Sequence, residues 1–180
     1  MGKQLSKLTR RLIAFIGKQK IFFVATAMAE GHINVSPKGM DAFRVLDEQT
    51  VLWLNLTGSG NETANHLRYD ERMTLMFCAF EGTPLILRLY GKARAYHQRD
   101  AYWKKHIGLF PALPGSRQLI ELQIDLVQTS CGMGVPLYEY GGERNQLDTW
   151  AAALGEEGLT AYQEQKNTSS LDGLDTGILG

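Results

Sequence analysis

The sequence predicts a mainly β fold, a small antiparallel barrel in one domain with helices at both ends of the chain. Three observations lead to it. Short apolar runs, several of them alternating, follow one another between residues 21 and 129 with turn residues between them. The connections are mostly too short for parallel crossovers, so the strands pair antiparallel. Helical spacing is confined to short segments and the two ends, and no repeat or low-complexity linker divides the chain. A chain of 180 residues, 44% hydrophobic and 21% charged, is an ordinary globular domain that buries a core without staples. The expected layout over residues 1–180 is an N-terminal helix in 1–19, the barrel in 20–130, and helices and a tail in 131–180.

In residues 4–17, Leu5, Leu8, Leu12, Ile13 and Ile16 recur at helical spacing among basic residues, and Gly17 ends the pattern. This reads as an amphipathic helix packed on a sheet. Residues 21–29 form a buried strand, Glu30-Gly31 turns the chain, and residues 32–36 return as a second strand that Pro37 is expected to stop. The Pro37-Lys38-Gly39 loop then projects a cation beside a flexible residue. Residues 42–46 make a third strand. In residues 51–57, Leu52, Leu54 and Leu56 take one face, and Val51, Trp53, Asn55 and Thr57 the other. A short helix over 62–69 precedes a strand over 73–80, where Cys78 reads as a core residue. A long strand over 85–96 puts Ile86, Arg88 and Tyr90 on one face, and Gly91 marks a bend or bulge in it. Residues 99–107 form a helix. Residues 118–129 are the last long strand, completing a sheet of six or seven. Two helices, near 143–154 and 156–166, follow a turn-rich segment, and the polar end of the chain has no periodicity.

The chain is organised around residues 51–67, VLWLNLTGSGNETANHL. An apolar strand runs into Gly58-Ser59-Gly60, and the turn opens a short polar helix, which places backbone N–H groups where an anion can sit. A second reading is open: Ser59-x-x-Glu62 fits a capping box that satisfies the helix's own N–H groups and needs no ligand. A dinucleotide fingerprint is not present, since Gly58-x-Gly60-x-x-Thr63 lacks its third glycine and the next strand comes too soon.

Charge excludes some classes. Lys+Arg and Asp+Glu are equal at 19 each, so no global field argues for nucleic acid. Six basic residues and no acidic one precede Glu30, whereas from Glu139 onward eight acids stand against Arg144 and Lys166. Cys78 and Cys131 make no disulfide framework, and scattered His32, His66, His97 and His106 give no metal spacing. No apolar run is long enough to span a bilayer and no signal-peptide pattern is present, so a cytoplasmic protein without membrane association is expected.

The segments INVSPKG, FRVLDEQTVLWLNLTGSGNETANHL and MTLMFCAFEGTPLILRLYGKARAY together resemble the pyridoxamine 5′-phosphate oxidase-like family, on its uncharacterised oxidase-related branch. The resemblance covers residues 21–96 well, and VQTSCGMGVP and KNTSSLDGLDTG near the C-terminus share it. It implies a split β-barrel that binds FMN in a cleft between the subunits of a homodimer, and an FMN-dependent oxidoreductase acting on a small molecule. The flavin carries the redox step, so no nucleophile or acid–base pair is required of the protein. The alternative function is a binding module on the same barrel for another cofactor, a deazaflavin or haem, or none.

Carried over residue by residue, Arg44 takes the place of a basic residue that helps hold the FMN phosphate. The Ser-Arg-Lys turn of the true oxidases reads Ser59-Gly60-Asn61 here, so two cations are missing and Lys38 is the available replacement. Ser59, Gly60 and Asn61 are expected to offer N–H groups to phosphate, Asn55 and Thr57 to contact the ring or ribityl chain, and Arg88 to meet the ring or a substrate anion. Arg44 and Arg88 have the alternative of pairing with Asp41, Asp47 or Glu81. From a partner subunit, Cys131 and Arg144 are expected to help complete the site, with the tail packed on another surface. A turn that merely contains a cysteine is the alternative for Cys131, and a disordered end the alternative for the tail.

Overall fold

A computed structural model describes residues 2–180 and contains one antiparallel sheet that curls until its two edges face each other. In chain order the elements are β1 (Lys3–Leu5), α1 (Arg10–Ile16), β2 (Phe22–Thr26), β3 (Asn34–Lys38), β4 (Phe43–Val45), β5 (Thr50–Leu56), α2 (Glu62–Tyr69), β6 (Arg72–Cys78), β7 (Ile86–His97), α3 (Ala101–His106), β8 (Ser116–Ser130) and α4 (Gln146–Lys166). The strand order is β3-β2-β6-β7-β8-β5-β4, with β1 added along β8. This is the split barrel expected from the sequence, with eight strands rather than six or seven.

The two edges meet through side chains. Phe22 of β2 lies 4.9 Å from Phe43 of β4 and 6.2 Å from Trp53 of β5, measured between ring centroids. Phe77 stacks on Phe22 at 5.7 Å, so four aromatic rings close the gap with no ladder of hydrogen bonds across it. Below them, Val24, Val51, Leu75, Leu87, Leu89, Ile120 and Leu122 fill the interior, each fully buried. Leu8, Leu12 and Ile16 plug one end of this core with α1. A second cluster lies outside the sheet, where α3 and the residues after it cover Leu52, Leu54 and Leu119.

Three local expectations are corrected. The first helix begins at Arg10 rather than residue 4, because Thr9 caps it and residues 3–5 pair with residues 127–129 as β1. Pro37 does not stop its strand: it pairs with Phe23 inside β3, an edge strand whose outward side needs no N–H donor. Arg144 precedes its helix, which starts at Gln146. The break between the two late helices falls at Gly155, whose φ of 64° departs from helical geometry.

The expected irregularity at Gly91 is a register shift between Tyr90 and Gly91 against β8. A Cβ at Gly91 would fall 1.9 Å from the Gln123 carbonyl oxygen, so no side chain fits without moving backbone. Gly91→Ala is therefore expected to lower stability by about 1–3 kcal/mol. Gly108→Ala, where a Cβ meets open space, should stay within about 0.5 kcal/mol. Urea midpoints of the two variants check this, and equal midpoints would contradict it.

Candidate functional site

The barrel interior changes character along its length. Along β5 and β8 the inward pairs run Val51–Leu122, Trp53–Ile120, then Asn55–Gln118, and apolar gives way to amide. On β2 and β3 the inward pairs run Phe22–Lys38, Val24–Ser36 and Thr26–Asn34, the last of them at the amide-lined end. α2 lies over this end and adds buried Thr63 and His66; His66 Nδ1 lies 3.0 Å from Thr26 Oγ1, and Asn34 donates to Thr63 Oγ1 at 3.1 Å.

Two cations, Arg117 at this end and Lys38 opposite Phe22 on β3, act on each other electrostatically, and neither has a counter-ion among the described residues. Arg117, at the start of β8, is only 5% exposed, and its Nη1 donates to the Gly60 carbonyl at 3.1 Å and to Asn167 Oδ1 at 2.7 Å. Both acceptors are neutral, and no carboxylate among the described residues pairs with it. The Lys38 ammonium sits 5.2 Å from the Trp53 ring centroid and has no carboxylate partner among them either. Burial, and then the charge of Arg117, hold the Lys38 pKa down at about 8. Burial holds Arg117 down at about 10. Burial and the charges of Arg99, Arg68 and Arg117 hold His97, at the same end, down at about 4 against the opposing pull of Asp100.

Several buried polar atoms around these cations have no partner. They include the donors Trp53 Nε1, Gln118 Nε2 and Arg117 Nε, and the oxygens Ser36 Oγ and Asn55 Oδ1. Leaving such groups unpaired costs about 1–3 kcal/mol each, so a cluster of them marks a place where a polar ligand or ordered water belongs. The donor set, two cations and the N–H groups of Trp53 and Gln118, fits an anionic group such as the phosphate of FMN.

The 58–61 turn closes over this end. Ser59 and Gly60 are exposed, while Asn61 is buried with both side-chain polar atoms unpartnered. The capping-box reading is corrected: Asn61, not Ser59, precedes α2, and the Glu62 carboxylate instead accepts the Leu171 N–H at 3.0 Å. The C-terminal tail packs on its own chain. Asn167 donates to the Gly58 carbonyl at 3.0 Å, Asp175 pairs with Arg68 at 2.8 Å, and Asp172 pairs with His32 at 2.6 Å.

The residues expected at the site fall in several separate places. Lys38, opposite Phe22 on β3, lies beside Trp53, while Asn55, Thr57, Ser59, Gly60 and Asn61 share the polar end. Within it, Asn55 donates to Gln118 at 2.9 Å, and Thr57 is taken up by the Gly115 carbonyl and Gln163. Arg44 lies outside the sheet, bidentate to Asp41 at 2.6 and 3.0 Å and 4.8 Å from the Phe110 ring centroid, so the pairing alternative is the one observed. Arg88 lies on the other outer face, donating to Ser130 Oγ at 3.3 Å. Cys131 and Arg144 are exposed in the 131–145 segment, which has no regular structure. Sequence reasoning missed Arg117, Gln118 and Asn167. The available signal was a lone arginine opening the last apolar strand.

A family model described as pyridoxamine 5′-phosphate oxidase matches residues 8–131. The chain is also 40% identical over 176 residues to the pyridoxamine 5′-phosphate oxidase family protein ustO of Aspergillus flavus, spanning 87% of this chain and 70% of that one. The chain belongs to the pyridoxamine 5′-phosphate oxidase family. Among solved structures, Group A Streptococcus HupZ superposes with a TM-score of 0.54 at 21% identity, covering 68% of this chain and 98% of that one. An FAD binding protein of Mycobacterium smegmatis superposes with a TM-score of 0.50 at 13% identity, covering 70% and 97%. These two likenesses concern the fold. As a family member the chain carries a barrel that includes flavin oxidoreductases, and among its described residues no helix is long and apolar enough to cross a membrane.

Lys38 gives this site a pH signature. Between about pH 8 and the ordinary lysine value of 10.5, the unfolded chain holds a proton on Lys38 that the folded chain has released. Stability contributed by this residue therefore rises across that window. The wild type should gain stability over Lys38→Met from pH 8 to 10, read as the difference in urea midpoint. A constant difference would contradict it.

Proposed function

We propose that this chain is an FMN-binding flavoprotein, an oxidoreductase acting on a small molecule, that works as a homodimer. The observation that supports it best is the pair of cations, half-buried Lys38 and buried Arg117, neither with a carboxylate partner among the described residues, Arg117 also holding the small-residue turn at Gly60. Family membership supplies the flavin as the anion to test. The flavin supplies the electron transfer when bound, and the residues of this chain bind and orient it. Lys38 and Arg117 neutralise the phosphate, Trp53 Nε1 and Gln118 Nε2 point N–H groups into the same space, and the exposed Ser59 and Gly60 N–H groups line its entrance. Arg44, held by Asp41, does not take part in this reading.

The dimer reading is supported by the outer face of the sheet. Pro37, Phe23, Met76, Arg88 and Gln128 form one row across β3, β2, β6, β7 and β8, and Val35, Ala25, Thr74, Tyr90 and Leu126 the next. Val35 is 63% exposed and Ile33 75%, which is a large apolar edge for a monomer. A second copy covering this face brings Arg88 to an intersubunit cleft.

Flavin titration of the purified protein tests the function. FMN is expected to bind with quenching of its fluorescence, and Lys38→Met should weaken FMN by about 1.5–3 kcal/mol. Riboflavin, without the phosphate, should change far less, and Arg44→Ala should leave the FMN-to-riboflavin ratio as it is. A protein that ignores FMN at high concentration sinks the reading. Mass in solution tests the dimer: the wild type should be dimeric and Val35→Asp shifted toward monomer, whereas a monomeric wild type would refute it.

A further inference from the structure

A cleft of about 1310 Å³ holds none of the residues assigned to the FMN site, and shares Phe23 with the proposed dimer face. It lies between α1, the start of β2, the β6–β7 connection and residues 138–140. From its construction we infer a second ligand site, one that takes an anion carried on a flat aromatic body.

The walls supply the body's contacts. Phe15, Phe23, Phe80, Tyr138 and Tyr140 all line the cleft, with the Phe80 and Tyr138 ring centroids 5.5 Å apart. Tyr138 and Tyr140 remain 62% and 46% exposed, so apolar ring surface is held in water with little to cover it. The roof is adjustable. Residues 131–145 have no regular structure, and here the roof is pinned by the Tyr138 N–H to the Phe80 carbonyl at 2.9 Å and the Tyr140 N–H to Glu81 Oε1 at 3.2 Å.

The charged side chains that line the cleft are three cations and two carboxylates. Arg11, Lys18 and Lys20 stand on the α1 side, and none of them has an ion-pair partner among the described residues. Lys20 instead sits 5.3 Å from the Tyr140 ring centroid. The two acids, Glu81 and Glu139, stand on the roof side, and Glu81 is taken up by the Tyr140 N–H. A ligand that lays its ring against these aromatic side chains therefore meets three cations without ion-pair partners against two carboxylates, one of them already accepting the Tyr140 N–H. That asymmetry selects a single carboxylate, sulfonate or phosphate on an aromatic body over a neutral or cationic one.

The inference does not rest on flavin binding, and flavin-free protein tests it. 8-Anilinonaphthalene-1-sulfonate serves as the anionic probe and N-phenyl-1-naphthylamine as its neutral counterpart. Arg11 and Lys18 are exposed, so Arg11→Ala/Lys18→Ala should fold normally and weaken the sulfonate roughly fivefold, the scale of two partly screened ion pairs. The neutral probe should keep its affinity in that variant, Tyr138→Ala should weaken both probes, and Lys38→Met should weaken neither. 1-Naphthoate should displace the sulfonate at lower concentration than laurate does. Sulfonate binding that is indifferent to the Arg11/Lys18 and Tyr138 changes would overturn the inference, as would tighter binding of laurate. Stoichiometric displacement by FMN would overturn it too, by making the cleft the flavin's own.

Discussion

The buried guanidinium of Arg117 ties together three parts of the chain that are far apart in sequence. It starts β8, holds the Gly60 carbonyl of the turn, and holds Asn167 at the end of α4. Asn167 in turn donates to the Gly58 carbonyl, so the same turn is gripped from two sides. A buried arginine answered only by neutral acceptors is an expensive arrangement. Structural economy would replace it with an apolar residue. Its retention beside a second cation whose pKa it depresses makes sense if an anion completes the group.

The rest of the barrel can be seen as support for that end. Closure through Phe22, Phe43, Phe77 and Trp53 fixes the distance between the β2–β3 and β4–β5 edges without hydrogen bonds. Trp53 belongs to both systems: its ring seals the apolar half, while its Nε1 and the lysine near its face belong to the polar half. The tail from Asn167 to Ile178 then covers the outside of the turn, drawing on Glu62, Arg68 and Arg99. A glutamate that would otherwise repel an anion at the start of α2 is thereby occupied by a backbone N–H.

The strands were legible because alternation and burial are written residue by residue, as in residues 51–57 and 85–96. The central turn was legible because glycine and serine there permit a close approach. The first three strand residues were not, since Leu5 satisfies helical spacing as well as it satisfies pairing with Val127. Pro37 misled because a proline's meaning depends on whether its strand lies at an edge, which only the sheet order reveals. For the site, the sequence points to Lys38, whereas Arg117 falls between the helix expected over 99–107 and the strand expected over 118–129, where no periodicity marks it. Which face of a strand Arg44 and Arg88 occupy followed from pairing register, and register is a property of the whole sheet rather than of either segment.

The central proposal is that Lys38 and Arg117 together form an anion site. Labelling lysine at Cε and following Lys38 by NMR through a pH titration, with and without FMN, tests it most directly. The account predicts a Lys38 pKa near 8 in the free protein, moving up toward the ordinary value of 10.5 when the phosphate is bound. A Lys38 that titrates at the same pH in both states would contradict it.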